Sequence, residues 1–140
     1  RFGVLVHEAL ASYIADSLSR DVPLQVAGKG RQLGATPEEQ AAAVQVVQTC
    51  LEHPLLKEAL SSNTVFQEHP FYLIHNDQIL EGVIDLCFID KTDNWVVVDF
   101  KTDLEVNNES KPRYEAQVAL YCMAIHEMTS KTARGVLLQV

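Results

Sequence analysis

The sequence predicts a single α/β domain, spanning residues 1–140, with a mixed central β-sheet flanked by helices. Three observations lead to this prediction. Helical patterns come first, residues 64–102 are rich in β-branched and aromatic residues, and a further helix and strand complete the chain. With 140 residues, 47% of them apolar, the chain can bury one core and is too short for two.

The first helix is predicted over residues 3–19 by its amphipathic pattern. Residues 20–35 are polar and contain glycine, so we expect a connecting segment there. The last strand is predicted over residues 136–140. Because the chain begins in a helix and ends in a strand, we expect it to be a domain excised from a longer chain.

The second helix has a clear start signal. Thr36, Pro37 and Glu39 supply an N-cap, a first-turn proline and the glutamate of a capping box. The helix is expected to cover residues 36–52, and a short one is expected over residues 54–60.

Residues 64–102 are predicted to form a three-stranded meander. Turn-forming residues at 75–77 and 91–94 divide the segment into strands. In the second and third strands both alternating faces are mostly apolar, with Ile84, Leu86 and Phe88 on one face of the second, so both faces should be buried.

A helix is expected to follow the meander and to precede the last strand. Pro112 opens this segment, and the helical pattern continues to about Met128. The predicted order is therefore helix, helix, three strands, helix and strand.

Two aspartates interrupt the apolar strands. Asp85 and Asp99 are costly to bury without a partner. If residues 91–93 form a three-residue hairpin loop, these two side chains lie opposite each other, with Cβ atoms about 4.5–5.5 Å apart. Such a pair requires a cation, and oxygen ligands suit Mg²⁺ or Mn²⁺. The strand period of two also places Lys101 on the face of Asp99.

This constellation is suited to phosphodiester hydrolysis, in which a metal polarises the phosphoryl group and a lysine orients water or neutralises charge. Phe100 could add its backbone carbonyl as a ligand. The alternative is a structural bridge in which Lys101 pairs with Asp85 and Asp99. A slip of one residue in the hairpin register would separate the two acids onto opposite faces.

The segments GVID (residues 82–85) and VVDFKTD (residues 97–103) resemble the core of the PD-(D/E)XK nuclease superfamily. In that superfamily an aspartate on one strand precedes a D-x-K motif on the next. The resemblance implies a restriction-endonuclease-like fold and a catalytic role for Asp85, Asp99 and Lys101.

Two further residues, His7 and Glu68, point to the RecB-like branch. This branch is found in AddA-type and RecB-type helicase-nucleases and in related exonucleases. His7, in GVLVHEAL, is similar to the metal-binding histidine of the first helix. Glu68, in FQEHPF, resembles the acidic residue on the first strand. The resemblance therefore implies a metal site of His7, Asp85, Asp99 and the Phe100 carbonyl, with Glu68 in the catalytic set. The alternatives are a structural or surface histidine and a solvated strand glutamate.

A Q-x-x-x-Y motif on the late helix completes the resemblance. Gln117 and Tyr121, preceded by Tyr114, share one helical face at offsets of three and four residues. In the family this face helps to hold DNA, and Gln117 also belongs to the catalytic site. Packing of the helix against the sheet is the alternative explanation.

The resemblance further implies a DNA exonuclease that acts with a helicase domain or subunit on single strands or duplex ends. Family members with an iron–sulfur cluster use four cysteines, whereas this chain has Cys50, Cys87 and Cys122, so no cluster is expected. The net charge of −8 is unusual for a nucleic-acid binder and suggests that a helicase body provides most of the grip on DNA.

Neither a transmembrane segment nor a signal peptide is recognisable, which predicts a cytoplasmic protein without a membrane partner. Two other functions remain open at this point. The chain could be a catalytically silent nuclease-like module that docks onto DNA or protein, or a phosphohydrolase that acts on small nucleotides.

Overall fold

The computed structural model describes residues 1–102 and 105–140, and this part of the chain contains five helices and four strands. In chain order they are α1 (Phe2–Ala15), α2 (Val22–Leu33), α3 (Pro37–Leu51), α4 (Pro54–Ser61), β1 (Val65–His75), β2 (Gln78–Ile89), β3 (Trp95–Lys101), α5 (Lys111–Thr129) and β4 (Ala133–Gln139). Within the described residues, no helix combines the length and apolar character needed to cross a membrane.

The four strands form one mixed sheet in the order β1-β2-β3-β4. The meander of β1, β2 and β3 is antiparallel, and β4 lies parallel to β3 after the crossover through α5. The predicted mixed sheet flanked by helices is therefore confirmed.

Each face of the sheet is covered by helices. One hydrophobic cluster joins α1 to α4 with Leu86, Phe88, Val96, Val98 and Phe100 of the sheet. A second cluster joins α5 to the opposite face, through residues that include Trp95, Val97, Tyr121 and Ile125. The alternating faces of β3 are thus both buried, as the sequence predicts.

Helix α2 occupies the segment that the sequence analysis treated as a connection. Asp21 caps its amino terminus by accepting a hydrogen bond from the Leu24 N–H at 2.9 Å, and Gly34 ends it with φ +64°. Gly30 allows a close approach to α3, since a Cβ there would lie 2.6 Å from the Gln40 side chain. Gly34 therefore serves for capping and Gly30 for packing.

Two element boundaries differ from the predictions by three or more residues. Helix α1 ends at Ala15, because the Asp16 carboxylate accepts hydrogen bonds from the N–H groups of Leu18 and Ser19, both at 3.0 Å. Strand β4 begins earlier than predicted, at Ala133. Gly135 gave no strand signal, yet it brings β4 against α5, since a Cβ there would lie 2.3 Å from Val118 Cγ1.

The β1–β2 hairpin is kinked where Glu68 faces Asp85. The ladder pairs Gln67 with Leu86 and then His69 with Ile84, so this one pair is missing, and Glu68 has φ +47°. The kink reverses the alternation of faces. The prediction that Ile84 shares a face with Leu86 and Phe88 is wrong, because Ile84 packs in the α5 cluster and the other two pack in the α1–α4 cluster.

Beyond the kink, one face of the hairpin is exposed. The exposed fractions are 73% for Tyr72, 70% for Ile74, 70% for Ile79 and 46% for Val83. The expectation that both faces of residues 82–90 are buried therefore fails at Val83.

Candidate active site

The hairpin between β2 and β3 sets the position of both aspartates. Its ladder runs from Ile89 opposite Trp95 to Leu86 opposite Val98, which is the register that the three-residue loop predicts. The next pair in this register would be Asp85 and Asp99. The ladder stops before it, so the strands separate at the two acids.

Asp85 fills the gap where the strands separate. Its Oδ2 accepts a hydrogen bond from the backbone N–H of Phe100 at 2.8 Å, which replaces the missing bond from β2. The carbonyl of Lys101 accepts a hydrogen bond from Val140 N–H at 2.8 Å, towards β4. Successive carbonyls of a strand point to opposite sides, so the Phe100 carbonyl points into the same gap as Asp85.

Three side chains near this gap have the composition of a metal site. One ligand atom from each of His7, Glu68 and Asp85 lies within 4.8 Å of the others. Nδ1 of His7 lies 3.7 Å from Asp85 Oδ2, whereas its Nε2 is buried and has no hydrogen-bond partner among the described residues. An imidazole beside two carboxylates has the ligand chemistry of a divalent-cation site.

The electrostatics of these groups show how closely they interact. Burial works against the charged imidazole of His7, but the contact with Asp85 outweighs it and raises the pKa of His7. Partial burial and the charge of Asp85 raise the pKa of Glu68. Clustered carboxylates of this kind repel each other until a cation neutralises them.

Asp99 and Lys101 form a close pair beside this cluster. Lys101 Nζ lies 2.9 Å from Asp99 Oδ2, and the two side chains are only 13% and 3% exposed. Oδ2 is in contact with the ammonium but makes no hydrogen bond of good geometry within the described part of the chain, so it keeps lone-pair capacity. Burial and the nearby Asp85 raise the pKa of Asp99 despite the contact with Lys101.

Lys101 remains charged in this setting. Burial disfavours its ammonium, but the contact with Asp99 and the charges of Asp85 and Glu105 outweigh burial and raise the pKa of Lys101. The ion pair with Asp99 is the one that the structural-bridge alternative also requires. A purely structural bridge would leave the metal-ligand character of the neighbouring cluster unexplained.

Helix α5 brings its predicted face to the same place. Lys101 Nζ lies 4.9 Å from the centre of the Tyr114 ring, a cation–π distance. Burial and the charges of Asp99 and Asp85 raise the pKa of Tyr121 to about 12, although the neighbouring Gln117 side chain acts in the opposite direction.

Tyr121 differs from Tyr114 in its surroundings. Its ring is 5% exposed and meets Phe71 edge to face at 5.0 Å. Of the two tyrosines on this face, Tyr114 is therefore the one with room for a ligand, and Tyr121 packs against the sheet.

Glu105 is a member of this region that the sequence analysis did not identify. Its Oε2 accepts hydrogen bonds from the Thr102 N–H at 2.6 Å and from the Thr102 hydroxyl at 2.8 Å. A glutamate in a polar loop gives no local signal, and only the fold brings it towards Lys101 and His7. Asp103, the last residue of the predicted motif, lies outside the described residues.

The three cysteines are free thiols. Cys50 and Cys87 are buried, and Cys122 is half-buried. Burial raises the pKa of Cys50 to about 11 and that of Cys87 to about 12, so both stay protonated and behave as apolar core residues.

Comparison with protein families identifies the arrangement. A family model described as the PD-(D/E)XK nuclease superfamily matches residues 1–140, which is the whole chain. The resemblance predicted from the GVID and VVDFKTD segments is thereby confirmed.

Curated relatives are much longer proteins. An ATP-dependent helicase/nuclease subunit from Alkaliphilus metalliredigens is 26% identical over 149 aligned residues, covering 94% of this chain and 12% of that protein. The protein of the same name from Thermoanaerobacter pseudethanolicus is 31% identical over 117 aligned residues, covering 69% of this chain and 9% of that protein. The chain thus spans about a tenth of the length of these relatives.

Among solved structures, a repair endonuclease from Pyrococcus abyssi resembles the chain at 19% identity with a TM-score of 0.37. The match covers 67% of this chain and 35% of that one. This likeness is too remote to carry information about activity.

Proposed function

This chain belongs to the PD-(D/E)XK nuclease superfamily, and from this premise we propose that it is a metal-dependent deoxyribonuclease that hydrolyses phosphodiester bonds. The observation that supports this most strongly is the meeting of two groups at one gap in the sheet. One is the ligand cluster of His7, Glu68 and Asp85, and the other is the buried pair of Asp99 and Lys101.

We assign the metal to this gap. His7, Glu68 and Asp85 would hold Mg²⁺ or Mn²⁺, with Asp99 and the Phe100 carbonyl as the further ligands. When bound, such an ion polarises the phosphoryl oxygen and lowers the pKa of water. The His7 imidazole beside the carboxylates of Glu68 and Asp85 favours this assignment.

Lys101 is assigned the part of the catalytic cation. Its ammonium donates hydrogen bonds to the attacking water and to the phosphate oxygen on which charge develops. Asp99 holds the ammonium beside the gap at 2.9 Å and keeps it protonated. The Tyr114 ring also contacts the ammonium, whose nitrogen lies 4.9 Å from the ring centre.

The α5 face is assigned to DNA binding. Tyr114 lies beside Lys101 and can stack on an unpaired base, whereas Gln117 can hydrogen-bond the strand next to the site. Tyr121 supports this face by packing, since its ring meets Phe71 edge to face.

A cleavage assay tests the proposed activity. The chain is expected to degrade a labelled single-stranded oligonucleotide with Mn²⁺ or Mg²⁺ and to stop when EDTA removes the metal. Shortening from one end would identify the exonuclease that we propose, and internal fragments would identify an endonuclease. DNA or metal binding without products would support the silent module instead, and hydrolysis of free nucleoside triphosphates alone would support the small-nucleotide phosphohydrolase.

We further propose that the chain acts in DNA repair or recombination together with a helicase body that supplies most of the grip on DNA. The relatives are named helicase/nuclease subunits, and this chain spans about a tenth of their length. The β1–β2 hairpin, residues 65–89, contains no Lys or Arg, and it exposes Tyr72, Ile74 and Ile79. An apolar, acidic surface suits a protein contact better than a phosphate backbone.

The salt dependence of DNA binding checks this division of labour. For the isolated chain in EDTA, log Kd of a single-stranded oligonucleotide against log salt should have a slope of magnitude between about 1 and 2, because few cations border the site. Arg113 and Lys101 are the basic residues that flank Tyr114 there. A slope of magnitude 4 or more would mean that the chain holds DNA by its own surface, contrary to the proposal.

A further inference from the structure

Glu105 contacts three of the five elements that supply residues to the proposed site, namely α1, β3 and α5. We propose that Glu105 is a positioning residue that fixes α1, β3 and α5 relative to one another, so that His7, Lys101 and Tyr114 meet at the gap. The expected effect on catalysis rests on the proposed function, whereas the contacts of Glu105 are independent of it.

The contact with β3 is the closest one. Both hydrogen bonds from Thr102 end on the same carboxylate oxygen, Oε2 of Glu105, at 2.6 and 2.8 Å. Thr102 is only 6% exposed and directly follows Lys101. The two bonds fix the backbone at the end of β3 and therefore the point from which the Lys101 side chain extends.

The contact with α1 lies on the face of the helix that carries His7. A Cβ at Gly3 would lie 3.7 Å from both carboxylate oxygens of Glu105, so the carboxylate rests against the first turn of α1. His7 follows Gly3 by four residues and shares its side of the helix. A negative charge at this end of a helix is also favourable, because the first turn carries partial positive charge.

The contact with α5 runs through the backbone of Glu105. Ser110, the N-cap residue of α5, donates its hydroxyl to the Glu105 carbonyl at 2.8 Å. Tyr114 lies four residues after Ser110, one turn into the helix. The same residue thus sets the start of α5, from which Tyr114 reaches Lys101.

The carboxylate of Glu105 is ionised in this arrangement. Burial acts to raise its pKa, but the hydrogen bonds from Thr102 and the charge of Lys101 outweigh burial and lower the pKa of Glu105. Charge-assisted hydrogen bonds of this kind are stronger than neutral ones, which suits a group that holds separate elements together.

Three variants test the proposal. Glu105→Ala removes both hydrogen bonds, Glu105→Gln keeps an acceptor oxygen without the charge, and Glu109→Ala is the matched control, an exposed glutamate in the same loop. The readouts are the Mn²⁺ dissociation constant by calorimetry, kcat and KM on an oligonucleotide, and the thermal midpoint.

Glu105→Ala is expected to weaken Mn²⁺ binding by between about 10- and 100-fold and to lower kcat to a similar extent with KM within about twofold. Glu105→Gln should recover part of both losses, and the control should match the unaltered chain. Equal losses in the Gln and Ala variants would overturn the proposal in favour of a purely electrostatic effect. A lower thermal midpoint with unchanged Mn²⁺ binding would overturn it in favour of a merely structural role.

The proposed function can fail separately. If the unaltered chain binds Mn²⁺ but cuts no DNA, nuclease activity is refuted while the Mn²⁺ affinities still decide the role of Glu105. If the unaltered chain binds no Mn²⁺, amide hydrogen exchange tests the positioning role of Glu105. Faster exchange of the Thr102 amide and of α1 amides in Glu105→Ala would support the positioning role, and unchanged exchange would overturn it.

Discussion

Replacing Lys101 by methionine is expected to abolish measurable DNA cleavage, with kcat lowered by at least about 10²- to 10³-fold. Methionine keeps an unbranched apolar chain beside Tyr114 but removes the ammonium that we assign to the attacking water and the phosphate. The ammonium lies 2.9 Å from Asp99, and only 13% of the Lys101 side chain is exposed, so the pair is largely shielded from solvent. Rates measured in saturating Mn²⁺ on a labelled oligonucleotide give the result.

The folding of this variant needs its own control, because the change leaves the Asp99 carboxylate without its cation. Asp99 can respond by taking up a proton, since burial already raises its pKa. The double variant Asp99→Asn with Lys101→Met removes both charges and should have a thermal midpoint close to that of the unaltered chain. Lys91→Met, at an exposed turn position, should leave cleavage intact. Cleavage that survives in folded Lys101→Met would exclude the assigned role and favour the structural bridge.

Local signals account for what the sequence predicted well. The capping box of Thr36 and Glu39 is formed as predicted, with its two hydrogen bonds at 2.8 and 3.2 Å. The three-residue loop after Asp90 fixes the register of β2 against β3, and this register sets Asp85 and Asp99 at the same level. Both features depend on residues close together in the chain, so their spacing was sufficient.

Features that depend on tertiary contacts were not predictable in this way. Gly30 weakens the helical pattern of α2, although the close approach of Gln40 is the reason for a glycine there. Glu105 looks like an ordinary loop residue until the fold brings Thr102 and Gly3 to it. The kink at Glu68 likewise depends on the missing pair with Asp85 on β2, which the residues of β1 alone do not predict.

The kink explains why the ligand cluster forms where it does. Because the Glu68–Asp85 pair is missing from the β1–β2 ladder, both side chains are free to turn towards His7 on α1. Loss of the next pair between β2 and β3 opens the gap that Asp85 partly fills. The sequence predicts which residues meet, whereas two interrupted ladders determine how they meet.

Asp85→Asn is the second change with a large expected effect, and its two consequences have opposite signs. We expect Mn²⁺ affinity to fall by about 100-fold or more, because the variant removes the one carboxylate shared by the ligand cluster and the gap. In contrast, the thermal midpoint of the metal-free chain should stay level or rise. The amide oxygen can still accept the Phe100 N–H, and repulsion of Glu68 and Asp99 is relieved.

The pH dependence of stability provides a second test of the prediction that Asp85 destabilises the metal-free chain. Burial and Asp85 raise the pKa of both Glu68 and Asp99, so each binds its proton more tightly in the folded chain than in the unfolded one. The metal-free chain should therefore lose stability as pH rises through these raised pKa values. Asp85→Asn should make this loss shallower, because part of the shift comes from Asp85.

Glu81→Gln is the matched control for Asp85→Asn, since it neutralises an exposed acid on the same strand, four residues away. It should leave Mn²⁺ affinity within about twofold and the pH profile unchanged. A general effect of net charge would appear equally in both variants and would remove the basis for a site at Asp85. A carboxylate that is placed to bind a cation destabilises the fold when no cation is present. A fall in metal-free stability that is specific to Asp85→Asn would instead show that this carboxylate stabilises the fold, contrary to the prediction.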